Sequence, residues 1–219
     1  MTNFNKADDK ARIQESINLL KNIYPNAKSA LHFQNPLELL IATMLSAQCT
    51  DEVVNKVTKT LFKKYKTAKD YATANIKELE EIIHPTGFYH NKAKNIIKTS
   101  QMLVAKFASK VPKSMDDFIK LPGVARKTAN IVLSNAYGIT EGIAVDTHVR
   151  RLSIRLGFTK SQNPEKIERD LMTIVPKEEW FNLTNLLISH GRKICKAKKP
   201  LCHKCVLSRL CPSAFKFSK

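Results

Sequence analysis

Four of the five cysteines in this 219-residue chain crowd into residues 195 to 211, as Cys195-x6-Cys202-x2-Cys205-x5-Cys211. In a reducing compartment such crowding points to a metal site rather than to disulfides. Structural zinc sites usually draw on separated ligand pairs, often two C-x2-C knuckles. Here one C-x2-C is flanked by single cysteines at short range, a pattern that can wrap a cubane whose four irons each take one thiolate. Spacing alone favours a 4Fe–4S cluster and leaves zinc open. His203 lies inside the motif, but four thiolates complete either site, so it reads as a neighbour of the ligands or an exposed residue. Cys49 is distant in sequence and reads as a core residue near a helix end. Between the first two cysteines, KAKKPL places Lys196, Lys198 and Lys199 on a tethered loop, a basic knob suited to phosphate.

A second constellation is LPGVARKTAN, residues 121 to 130. It reads as a tight corner between two helices, with Arg126 and Lys127 where the second begins. Gly123 supplies a backbone angle that other residues resist, and Pro122 fixes the approach with no N–H to leave unsatisfied. The first-turn N–H groups of the second helix then point outward, and with the helix dipole they favour a phosphate. Two cations at a helix start are locally unfavourable. For Lys127 the dipole, the neighbouring Arg126 and partial desolvation beside the apolar corner all oppose the ammonium form, which is what a nucleophilic, Schiff-base lysine needs. A plain helix connector with surface lysines is the alternative. A nucleophilic amine also needs a carboxylate for proton transfer. GIAVDTHVRR offers Asp146, which suits an N-cap as well. His148, two residues on, reads equally as a phosphate or base contact and as a first-turn surface residue.

The segments that must position these groups read as helices almost throughout, so the fold class is all-α. DDKARIQESINLLKNIY has helical spacing and stops at Pro25. NPLELLIATMLSA opens with Asn35 as cap, Pro36 and then Glu38. TDEVVNKVTKTLFKKY, NIKELEEIIH and NKAKNIIKTSQMLVAKF follow, then SMDDFIKL with Ser114 as cap and Asp117 in an imperfect capping box. RKTANIVLSNAY, THVRRLSIRLG, PEKIERDLMTIV and KEEWFNLTNLLISHGRKIC complete the set. Residues 138 to 142 form the best candidate boundary. Only GIAV, 142 to 145, could be extended.

Lys and Arg number 37 against 19 Asp and Glu, a formal charge of +18, so a polyanionic partner is expected, nucleic acid before an anionic membrane surface. After Glu179 there is no acid, while nine basic residues lie from Arg192 to Lys219. The polar N-terminus resembles neither a signal nor a transit peptide, and no apolar run approaches a membrane span. The expectation is a soluble, cytoplasmic monomer, nucleoid-associated if bacterial, with no membrane partner.

LPGVARKTAN, AVDTH and C-x6-C-x2-C-x5-C, with SAQCTD at 46 to 51 and GFYHNKAKNI at 87 to 97, resemble the endonuclease III family, in the iron–sulfur branch of the helix-hairpin-helix DNA glycosylase superfamily. The likeness runs from about residue 10 to 212. It implies a six-helix barrel over 29–141 containing the hairpin at 114–138, and a cluster domain built from 1–28 with 142–219 around the loop 195–211. The active cleft would lie between the two. The resemblance also implies a base-excision-repair enzyme, a glycosylase with abasic-site lyase activity that flips oxidised pyrimidines out of double-stranded DNA. Lys127 would attack C1′ and Asp146 would assist. Cys195, Cys202, Cys205 and Cys211 would hold a 4Fe–4S cluster that scaffolds DNA binding. Gly123, Ala125, Arg126, His148, Lys196, Lys198 and Lys199 would contact DNA. Gln48 would fill the vacated space in the duplex, and Phe88 would act as a wedge where the family often has leucine. Without the resemblance, Gln48 reads as a solvated helix-end residue and Phe88 as core. Ala125 stands where the hairpin usually has glycine, and alanine is expected there at helical angles. The Lys127-to-Asp146 span is one residue longer than usual, which is expected to form a loop bulge. The competing readings are an adenine or mismatch-specific glycosylase of the same superfamily and a non-catalytic iron–sulfur DNA-binding protein.

Overall fold

The structure, a computed structural model, describes residues 6–217; residues 1–5 of the polar N-terminus, with Ser218 and Lys219 of the basic tail, lie outside the described residues. Among the described residues there are helices and turns and no strand. In chain order the α-helices are α1 (Lys6–Ile23), α2 (Pro36–Leu45), α3 (Asp51–Lys64), α4 (Ala68–Ala72), α5 (Ile76–Ile83) and α6 (Tyr89–Lys106). They continue as α7 (Met115–Phe118), α8 (Arg126–Tyr137), α9 (Thr147–Arg155), α10 (Pro164–Ile174) and α11 (Trp180–Lys193). None is long and apolar enough to cross a membrane.

Local chemistry explains most of the boundaries. The Asn35 side chain accepts from the Glu38 N–H at 3.0 Å, and the Glu38 carboxylate reaches back to the Gln34 N–H at 2.6 Å, so α2 starts where its sequence predicts. Asn163 caps α10 in the same way, with Pro164 at the first helical position. Ser114 accepts from the Asp117 N–H, but its hydroxyl donates to the Asp117 carboxylate, which is why that box is imperfect. One short helix, α4, has no counterpart among the segments read from sequence. It has a complete capping box, with Thr67 accepting from the Asp70 N–H and the Asp70 carboxylate accepting from the Thr67 N–H.

The chain divides into two compact units, Ser29–Glu141 and the flanking segments up to Lys28 and from Gly142 onward. In the first, α2 is buried continuously from Leu39 to Leu45 and forms the middle of the core. Leu61 of α3, Leu79 of α5, Ile96 of α6 and Leu133 of α8 close around it, all fully buried. Each such side chain removed from water contributes about 1.5–3 kcal/mol. Gly138, left-handed at φ 67°, ends α8. In the second unit, Ile13 and Ile17 of α1 pack with Val149 of α9, Ile167 and Leu171 of α10 and Leu187 of α11. Cys195, Cys205 and Cys211 lie against this second core.

Candidate functional site

The corner between α7 and α8 is anchored from below and bare above. Leu121 and Val124 are buried, and the Val124 N–H closes a turn onto the Leu121 carbonyl at 3.1 Å. Gly123 adopts φ +74°, and a Cβ there would stand 2.7–2.9 Å from the side chain of Asn95 on α6. Both backbone angle and space therefore demand glycine. The Thr99 hydroxyl, also on α6, donates to the Pro122 carbonyl at 2.7 Å. Ala125 is the N-cap of α8 at φ −92°, ψ 165°, with no side-chain cap bond. It is thus extended rather than helical as the sequence suggested, and extended angles are equally open to alanine. The N-cap residue makes no side-chain bond to the first-turn N–H groups of α8, which lack intrahelical partners. Arg126 and Lys127 are exposed there, with no acid in the first turn. Lys127 is exposed rather than partly desolvated, although Leu121 and Val124 of the corner are buried.

Besides Ala108 and Ser109 after α6, two loops beside the hairpin present strained residues. Gln48 (φ 53°) and Phe88 (φ 50°) are both left-handed without being glycine, and both are exposed, Phe88 to 65%. Such conformations cost on the order of 1–3 kcal/mol each and collect at functional sites. The residue-only reading of Phe88 as core is therefore wrong: its strained backbone turns the ring outward at the start of α6. Gln48, Phe88, Asn91, Lys92, Asn95 and Gly123 line one cavity beside the hairpin. Lys92 was missed from sequence. It is only 7% exposed, its ammonium donates to the carbonyls of Leu45 and Thr86 at 2.8 Å each, and burial pushes its pKa down. A signal was present, because Lys92 stands in helical register with Ile96 and Leu103, a stripe otherwise buried.

In the other unit, the Asp146 carboxylate accepts from the Val149 N–H at 2.8 Å and so caps α9. The buried run Ile143–Ala144–Val145 leads into it, and the Thr184 hydroxyl of α11 reaches the Ala144 carbonyl at 3.4 Å. Its position is therefore fixed by packing on one side and by the cap on the other. His148 is half-buried rather than a free first-turn residue. Its ring fits where Gly191 of α11 lacks a side chain, since a Cβ there would stand 2.8 Å from Nδ1. The Arg151 guanidinium lies 3.1 Å from His148 Nδ1 and also donates to the carbonyls of Gly191 and Cys195. Arginine has no acceptor, so Nδ1 accepts and the neutral ring carries its proton on Nε2.

The four cysteines Cys195, Cys202, Cys205 and Cys211 line a single, mainly apolar cavity with Leu152, Leu156, Ile194 and Leu207. Burial pushes the Cys205 thiol up to about 11 and raises that of Cys211 as well. Apolar walls thus disfavour bare thiolates, and a bound metal group would supply the compensating positive charge. By donor type, four soft thiols around one cavity suit zinc or an iron–sulfur cluster. Arg155 Nη1 lies 3.3 Å from the Cys195 sulfur, and His190 Nε2 lies 3.2 Å from that of Cys205. Arg155 also donates to the carbonyls of Lys196 and Ala197, which holds the basic loop, while Lys196, Lys198 and Lys199 remain exposed. His203 is exposed on a 3-10 turn, and Cys49 belongs to the other unit, partly buried against its core.

The profile of the HhH-GPD superfamily base excision DNA repair proteins matches residues 41–177. Endonuclease III of Synechocystis sp. is 52% identical over 208 residues, covering 95% of each chain. Endonuclease III of Bacillus subtilis is 46% identical over 209 residues, again covering 95% of each. A solved structure of a trapped endonuclease III–DNA covalent intermediate superposes with a TM-score of 0.91 at 48% identity, over 94% of this chain and 97% of that one. The all-helical architecture, the hairpin ahead of α8 and these similarities agree: the chain belongs to the endonuclease III family within the HhH-GPD superfamily of base excision DNA repair proteins.

Proposed function

We propose that this protein is a bifunctional DNA glycosylase and abasic-site lyase that removes oxidised pyrimidines from duplex DNA. The observation that carries the reading is Lys127: an exposed amine on the uncapped first turn of α8, directly after a corner that only glycine can form. The hairpin amides hold a DNA phosphate, with Arg126 adding positive field. The neutral Lys127 amine attacks C1′ of the damaged nucleotide, the N-glycosidic bond breaks, and the base leaves after taking up a proton. Opening of the sugar gives a Schiff base between Nζ and C1′. Loss of a C2′ proton then expels the 3′ phosphate by β-elimination, and water hydrolyses the imine to free the lysine. The related endonuclease III captured as a covalent DNA intermediate supports this covalent route.

The remaining residues take supporting roles in the same reading. Asp146, rigid as a cap, assists proton transfer and stabilises the developing sugar cation. Gln48 and Phe88 enter the duplex, and their exposure and strained backbone fit that role. His148 presents its Nε2–H to the DNA backbone. The family is known to carry a 4Fe–4S cluster. Cys195, Cys202, Cys205 and Cys211 would hold it here, and its part is to brace the loop that offers Lys196, Lys198 and Lys199 to phosphates. We infer a cytoplasmic, chromosome-associated enzyme that acts as a single chain, a reading supported by its DNA substrate.

Borohydride trapping on a duplex with a single thymine glycol tests the proposal. Wild type is expected to form a covalent adduct and Lys127→Gln none. An adduct that persists in Lys127→Gln assigns the nucleophile elsewhere, and a wild type that binds without trapping is a monofunctional or non-catalytic relative.

A further inference from the structure

The buried ammonium of Lys92 has no part in the chemistry above, yet its two acceptors are not arbitrary. Leu45 is the last residue of α2, three positions before Gln48. Thr86 ends the 3-10 turn His84–Thr86, two positions before Phe88. One side chain therefore ties together the roots of both loops whose exposed tips stand in left-handed conformations. Along the same face of α6, at helical intervals, follow Asn95 and Thr99. Asn95 packs into the space over Gly123, and Thr99 bonds the carbonyl of Pro122. The polar stripe of one helix thus underlies the two loops and the hairpin.

From this geometry we propose that Lys92 is a positioning residue: it fixes the spacing of the Gln48 and Phe88 loops, and α6 keeps both in register with the hairpin. The inference rests on the reading of Gln48 and Phe88 as residues that enter the duplex. A lysine suits the task because its three donors can satisfy two carbonyls from different segments on one flexible stem. The site is nearly closed to solvent, so water cannot easily replace the amine. Both loops carry backbone strain that would relax if their roots were released.

The test compares wild type with Lys92→Met, Lys92→Gln, Gln48→Ala and Phe88→Ala, each as full-length protein. Two single-turnover rates are read, both normalised to the borohydride-trappable fraction. The first is excision of thymine glycol from a duplex. The second is strand cleavage at an abasic site in single-stranded DNA, which requires no base extrusion and no filling of the gap. Lys92→Met is expected to slow the duplex reaction about tenfold or more while single-strand cleavage stays within about twofold. Lys92→Gln, which retains a donor, is expected to fall between, and it carries the comparison if Lys92→Met does not fold. Equal losses on both substrates, or none on either, would mean that Lys92 serves only the fold and would overturn the proposal. If Gln48→Ala and Phe88→Ala leave duplex excision unchanged while wild type still traps through Lys127, the loops do not enter the duplex, and the reading beneath the proposal falls with it.

Discussion

Gly123→Ala isolates what the hairpin demands of its sequence, because two separate penalties meet at one position. The backbone angle of +74° is left-handed, which costs an L-residue with a Cβ about 1–2 kcal/mol. The new methyl would also stand 2.7–2.9 Å from Nδ2, Cγ and Cβ of Asn95, closer than packed atoms tolerate. Because Cβ of Asn95 is among the atoms met, rotating the amide away is not enough, and α6 or the corner must shift, at a further cost of about 1–3 kcal/mol. A total near ~3 kcal/mol would lower the thermal midpoint of a chain this size by about 6–12 °C. Gly138 provides the control. It is left-handed at φ 67°, ψ 13°, but an added Cβ there would meet nothing within 4 Å, so Gly138→Ala should cost the angular penalty of about 1–2 kcal/mol and no more. The double variant Gly123→Ala/Asn95→Gly, which removes Cβ, Cγ and Nδ2 of Asn95 together, should recover the packing part relative to Asn95→Gly alone. Thermal or urea unfolding reads the stabilities, and affinity for a 3′-labelled duplex reads the hairpin. Equal costs at Gly138 and Gly123, or no recovery in the double variant, would refute the argument that close approach of Asn95 makes the glycine obligatory.

Two further predictions concern the cluster unit. Protein purified under anaerobic conditions should be yellow-brown and contain about four iron and four acid-labile sulfide per chain, and Cys205→Ser should lose both; a colourless protein holding one zinc would overturn the cluster assignment. Replacing Lys196, Lys198 and Lys199 with glutamate should weaken duplex binding and flatten the slope of log affinity against log salt by up to about 3, since each phosphate contact contributes roughly 0.9. An unchanged slope would remove the basic loop from the interface.

Much of the fold can be read locally because it is governed by local chemistry. Asn35–Pro36–Glu38, Ser114–Asp117 and Asn163–Pro164 announce helix starts, and the caps form between residues three apart. The missed α4 shows the limit from the other side: five residues have too little periodicity to register, although Thr67 and Asp70 carry a full capping box. Alanine fits at position 125 because its angle depends on where α8 begins, not on helical propensity. His148 looked free because sequence does not show Gly191 of α11 opening room for its ring. Phe88 and Lys92 illustrate the same difficulty with opposite signs: the aromatic residue is exposed by a strained loop, and the charged residue is buried under it.

The sequence by itself determined the chemistry available and its order along the chain: a glycine corner before a lysine-bearing helix, an aspartate suited to capping, four thiols at cluster spacing and a large positive charge. Those follow from residue type, spacing and net charge, which need no partner distant in sequence. Tertiary structure decided which groups are held and which are left free. It brought Lys92 under two loops that begin far apart in sequence. It set Asn95 against Gly123 and turned the hydrophobic side of the hairpin inward, so that the amine of Lys127 stands exposed. Burial and hydrogen bonding between remote segments depend on how the helices pack, and that packing is cooperative across the whole unit rather than encoded in any single stretch.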